Sequence, residues 1–153
     1  MKAWIWLRVG AVLQAIGTVL HTIASWDPPS RRPGGEAVFG PMQTFHFQIM
    51  GASRSHWDFY RGYELSITVT FAVFAVLIWQ LSNLSRTDPR QAVPLIVTIL
   101  VAEILLSAVG WEYFFAGPGG MSILIGACLA TSLFGLRRND QPMLATSRAA
   151  KAS

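Results

Sequence analysis

Charge is scarce in this chain. Only 13% of its 153 residues are Asp, Glu, Lys or Arg, about half of the roughly 25% usual in soluble domains. That deficit excludes a disordered protein, a coiled coil and most soluble enzymes. A single cysteine excludes a disulfide framework, a Cys-based zinc site and a dithiol redox relay. Eight acidic residues against 12 basic ones leave a net charge of +4. The basic residues stand singly or in pairs, so they form no nucleic-acid stripe. There is no phosphate loop, dinucleotide fingerprint or Ser-x-x-Lys pair, and no internal repeat or low-complexity tract. The length suits about one domain.

What the chain does have is apolar length: 52% of its residues are hydrophobic and six are Trp. Crossing the hydrocarbon core takes about 20 mostly apolar residues. Four windows qualify, at 3–25, 62–82, 92–115 and 120–136. Backbone groups in lipid must be bonded within the segment, so these windows are expected to be helices. The first window is longer than a signal-peptide core of about 7–15 residues and is interrupted by Arg8, Gln14 and His21, which favours a retained helix. The expected fold is all-α: a four-helix transmembrane bundle over 1–138, with spans at about 3–25, 56–82, 92–115 and 120–136. A long extracytoplasmic loop at 27–55 would carry a short interfacial helix, and 139–153 would be a flexible cytoplasmic tail.

Orientation follows from Lys and Arg near the helix ends. Lys2, Arg8, Arg86, Arg90, Arg137, Arg138, Arg148 and Lys151 fall on one side; Arg31, Arg32, Arg54 and Arg61 fall on the other. The first set marks the cytoplasmic side, so both termini are expected inside, in a bacterial inner membrane, with the 27–55 loop outside. Belt aromatics agree: Trp4, Trp6 and Trp79 inside, and Trp26, Trp57 and Trp111 outside.

The connections differ in character. Residues 27–35 read as a Pro/Gly linker. Gly40-Pro41 suits the start of a short helix ending at Gly51, with Met42, Phe45 and Ile49 on one face, lying on the membrane as a lid. Phe45, Phe47 and Ile49 also alternate with period two, which is the competing strand reading. Ser55 and Asp58 have the spacing of a capping box, so the second long helix should begin there. Residues 83–91 read as a short polar turn, with Pro94 in the first turn of the third helix. Residues 116–120 read as a tight turn that makes the third and fourth helices antiparallel neighbours.

Ionisable groups inside a membrane cost about 2.5–3.5 kcal/mol each at the helix centre, so each needs a reason. Gly10, Gln14, Gly17 and His21 share one face of the first helix. Either they pack a neighbour closely, or Gln14 and His21 line a cavity. Tyr60, Glu64 and Thr68 share a face of the second helix, and the pairs Arg54–Asp58 and Arg61–Glu64 are spaced for ion pairing. Glu103 lies near mid-bilayer, at a depth matching Gln14, and shares a face with Ser107 and Gly110. Burial there favours the neutral acid. It is then either a hydrogen-bonded structural group or a proton-exchanging or ligand-binding carboxyl. Ser122, Gly126 and Ala130 form a small-residue packing stripe, and Cys128 reads as filler. Haem would need two facing buried His, and only His21 lies in a span. His46, His56, Asp58 and Glu64 have no recognised metal spacing, so neither metal nor cofactor is expected.

The stretch Met50-Gly51, Arg54-Ser55, Trp57-Asp58-Phe59-Tyr60 and Gly62-Tyr63 resembles a signature of small four-span bacterial membrane proteins of unassigned function. The match is dense over the loop and second helix, and elsewhere extends to size and span number. The resemblance implies a four-helix bundle and no activity. In architecture alone the chain is also similar to DoxX-like four-helix proteins and to membrane isomerases and cyclases that protonate lipophilic substrates.

Three functions follow as expectations. In the first, the bundle binds a membrane lipid or other lipophilic small molecule in its outer half, with Gln14, His21, Arg54, Trp57, Asp58, Tyr60, Glu64 and Trp111 around the head group. In the second, the chain is a cofactor-free enzyme of isomerase, cyclase or epoxide-hydrolase type, with Glu64 or Glu103 as general acid. In the third it is a structural subunit of a larger complex or a homodimer, docking through its Gly/Ala stripes.

Overall fold

The computed structural model describes residues 2–26 and 33–151, with side chains through 138. The elements run α1 (Ala3–Trp26), α2 (Gly35–Thr44), β1 (His46–Ile49), β2 (Ala52–Ser55), α3 (His56–Thr87), α4 (Pro89–Tyr113) and α5 (Ala116–Lys151). Helices α1, α3 and α4, and α5 as far as Arg138, are long and apolar enough to cross a membrane. The chain is therefore an all-α, four-helix, multi-pass membrane protein. Part of the expected linker, including Arg31 and Arg32, lies outside the described residues, as do the side chains of the expected tail. The backbone of α5 is helical through Lys151, well past the expected end of the span at 136.

The chain divides into two packing units, Met1–Gly17 with Val73–Ser153, and Thr18–Ala72. In the first unit, small residues set the helix spacing. A Cβ added at Gly10 would lie 3.4 Å from Cys128 Cβ, and one at Gly17 would lie 3.5 Å from Met121 Cγ. At Gly110 it would come within 2.7 Å of the Gly119 backbone nitrogen, so α4 and α5 meet backbone to backbone. Ser107 adds a hydrogen bond to the Gly119 carbonyl at 3.3 Å. This is how helices associate where lipid removes the hydrophobic incentive: close approach and interhelical hydrogen bonds. Leu7, Ile78, Ile96, Ile125 and Leu129 fill the space between them and are fully buried.

The connections of this unit are shorter than expected. The polar turn at 83–91 is a single residue, Asp88, between α3 and α4. Its carboxylate accepts from the Gln91 backbone N–H at 3.1 Å and from Gln91 Nε2 at 2.6 Å, and Pro89 occupies the first helical position, where a missing N–H costs nothing. Pro94 consequently falls in the second turn of α4. Between α4 and α5 the break is Phe114–Phe115, and the Gly/Pro stretch forms the first turn of α5 rather than the turn itself.

In the second unit, the helix expected from Gly40-Pro41 to Gly51 is displaced. Helix α2 starts at Gly35 and ends at Thr44, and the period-two reading holds from His46 onward. Strands β1 and β2 pair antiparallel, Phe47 opposite Arg54 and Ile49 opposite Ala52. Met50 and Gly51 both have positive φ, 50° and 82°, as a two-residue hairpin turn demands. Gly51 thus ends a strand, not a helix. The capping box forms as expected: the Ser55 N–H donates to Asp58 Oδ2 at 2.8 Å, and the Asp58 N–H donates to Ser55 Oγ at 3.2 Å. Helix α3 then runs 32 residues, about 48 Å at 1.5 Å per residue. That is more than an upright crossing of a core of about 30 Å needs.

Candidate functional site

Two places gather polar side chains that membrane helices ordinarily avoid. The first lies within Thr18–Ala72, where the end of α1 faces the start of α3. His21 Nδ1 is 3.2 Å from Thr68 Oγ1, and the Thr22 hydroxyl is 3.4 Å from the same oxygen. Phe71 meets the His21 ring edge-on at 5.7 Å. Two turns earlier on α3, Arg61 Nη1 donates to Glu64 Oε2 at 2.8 Å and also to the Ser25 carbonyl of α1. An arginine fits there because the last carbonyls of a helix lack partners and carry the negative end of its dipole. The pair is partly exposed, 29% for Arg61 and 17% for Glu64, and such a pair contributes only about 0–1 kcal/mol. Its placement is therefore more informative than its strength.

Aromatic rings border this cluster. Trp57 stacks on Tyr60 at 5.4 Å, and Phe39 of α2 meets both edge-on, at 5.7 and 6.2 Å. The Tyr60 phenol neighbours the Glu64 carboxylate. A second aromatic group ties the hairpin to α3: His56 lies 5.1 Å from Phe47, which stacks on Phe59 at 5.9 Å. Arg54 Nη1 donates to the Ser53 carbonyl at 2.9 Å, and the Asp58 carboxylate, which feels the Arg54 charge, makes its hydrogen bonds in the capping box. Ser25, Thr22, Phe71 and Phe39 were not singled out in the sequence. The signal for Ser25 was available in its one-turn spacing from His21, and that for Thr22 in its place one turn before the helix end at Trp26.

The second place lies in the other unit. Glu103 is 1% exposed and Gln14 3%. Neither Glu103 carboxyl oxygen has a hydrogen-bond partner among the described residues, and Ser122 of α5 is its polar neighbour. The Gly126 position abuts Glu103 Cβ. Because Gly10 and Gly17 meet Cys128 and Met121, Gln14 falls at the level of residues 122–126 of α5. Gln14 and Glu103 therefore lie at matching depth. Trp111 belongs to this unit too, packed against Gly119, and Cys128 is a buried free thiol against Gly10. Among the described residues, no three His, Cys, Asp or Glu side chains converge as a metal site would require. Compared with known proteins, the chain matches no family model, no curated protein and no solved structure.

Proposed function

We propose that the chain binds a lipophilic molecule with a hydrogen-bonding head group where α1 meets α3, in a bacterial inner membrane with both termini cytoplasmic and the 27–55 segment outside. The observation that carries this reading is the convergence of His21, Thr68, Arg61 and Glu64 inside the ends of two spans, bordered by Phe39, Trp57 and Tyr60. His21 engages Thr68 through Nδ1, which leaves Nε2 to meet a head group, while Arg61 supplies donors and Glu64 acceptors. The aromatic rings suit the apolar body just below it. Membership of the small four-span group that the 50–63 stretch resembles is part of the same reading. The test is mass spectrometry of organic extracts from purified wild type, Arg61→Gln and His21→Leu. One lipophilic species enriched in wild type and lost in both variants supports the reading. Identical bulk lipids in all three overturn it in favour of a structural subunit or homodimer.

Glu103 favours a second reading, an enzyme that uses a buried acid without a cofactor. A buried carboxyl beside Ser122, whose oxygens have no hydrogen-bond partner in contact distance among the described residues, is positioned to give up or take a proton. Dicyclohexylcarbodiimide adds across such a neutral acid and leaves an N-acylurea detectable by mass. Labelling of wild type but not Glu103→Gln supports this reading; an unlabelled wild type contradicts it. Glu64, in its ion pair with Arg61, is the weaker choice for a general acid.

A further inference from the structure

Arg8 sits two turns into α1, within a span, and its guanidinium lies between two tryptophans, 5.0 Å from the Trp4 ring and 4.9 Å from the Trp79 ring. Arg86 lies over the same Trp4, at 5.3 Å. Two cations thus share one ring, and among the described residues neither forms an ion pair with a carboxylate. The Arg8 Nε is buried with no hydrogen-bond partner among the described residues. Cation–π contact compensates only part of the cost of holding such charge near lipid, so the arrangement calls for an anion. One turn further along α1, an open apolar groove of about 310 Å³ begins, lined by Ala11, Val12, Ala15, Ala75, Val76 and Trp79. That volume is at the lower end of ligand-pocket sizes, about 300–1,000 Å³. Trp79 is at once a wall of the groove and a platform for Arg8. The groove therefore starts where the cations end.

We propose that this is a binding site for an anionic phospholipid, with the phosphate held by Arg8 and Arg86 and one acyl chain lying in the groove. Guanidinium forks match phosphate oxygens in pairs. Three small alanines line the groove. The positive charge and the apolar groove adjoin, as phosphate and acyl chain do in a phospholipid. A free anion would explain the arginines and leave the groove without a role.

Native mass spectrometry of the full chain in detergent tests this, with phosphatidylglycerol, phosphatidylcholine of the same acyl chains, and glycerol 3-phosphate as the tail-less probe. Wild type is expected to retain phosphatidylglycerol at least tenfold over phosphatidylcholine and to ignore glycerol 3-phosphate. Arg8→Gln combined with Arg86→Gln should bring the two lipids to parity. Ala75→Leu, with both charges intact, should lower phosphatidylglycerol retention several-fold; it keeps the test decisive if the double variant does not fold. Equal retention of both lipids by wild type, unchanged retention in Ala75→Leu, or competition by glycerol 3-phosphate overturns the proposal.

Discussion

Where α4 meets α5, cohesion rests on fit: glycine against glycine, a serine against a carbonyl, aliphatic side chains between. Between α1 and α3 in Thr18–Ala72, it rests on directed groups: an arginine on a helix end, an ion pair, a His–Thr contact and stacked rings. The first kind of contact tolerates no added volume and needs no ligand. The second leaves donors and acceptors at a membrane boundary, which is where a partly polar ligand can be met. The contrast is one of packing: close backbone approach in one unit, directed polar and aromatic contacts in the other.

Gly110→Val should break the comparison most severely. Its side chain would occupy the space of the Gly119 backbone, and overpacking costs typically about 1–3 kcal/mol or more. Thermal unfolding in detergent should show a large fall in midpoint. Glu103→Leu should act in the opposite direction. Removing a buried carboxyl whose oxygens lack hydrogen-bond partners among the described residues relieves about 1–3 kcal/mol of desolvation cost, so a raised midpoint is expected. A lowered one would show that the carboxyl holds the bundle together. Asp58→Ala should lower stability modestly through loss of the capping box. Hydrogen exchange should localise that loss to the hairpin and the first turns of α3, with α4 and α5 unchanged. The smallest effect is expected of Met50→Gly. Left-handed backbone costs an L-residue about 1–2 kcal/mol, partly offset by the entropy of glycine. A gain below about 1 kcal/mol is therefore expected, read as slower exchange of the Ile49 and Ala52 amides.

The glycine-lined unit was the more legible part. Gly10, Gln14 and Gly17 recur at helical spacing over several turns, as do Glu103, Ser107 and Gly110, and a long period-3.6 pattern has one reading. The same logic placed Ser55 and Asp58, because a capping box is a local contact between residues three apart. The 40–51 segment was harder. Over so few residues the helical and period-two patterns coexist, and a Met-Gly hairpin turn lacks the Asn or Asp that usually announces one. Residues 83–87 are helical despite their polarity; Ser85 is buried and Leu84 packs against the core. The partners of Arg61 could not be read beyond Glu64, since its contact with Ser25 joins residues 36 apart. Nor could Trp4 and Trp79, which read as belt residues, be paired with Arg8 from spacing alone.

The central proposal is the topology, with the hairpin outside and the end of α5 in the cytoplasm. In a Cys128→Ala background, single cysteines at Met50→Cys and Gln141→Cys can be probed in intact bacterial cells with a membrane-impermeant maleimide. The account predicts labelling at 50 without permeabilisation and labelling at 141 only after it. Labelling of both positions from outside, or of 141 alone, would contradict it.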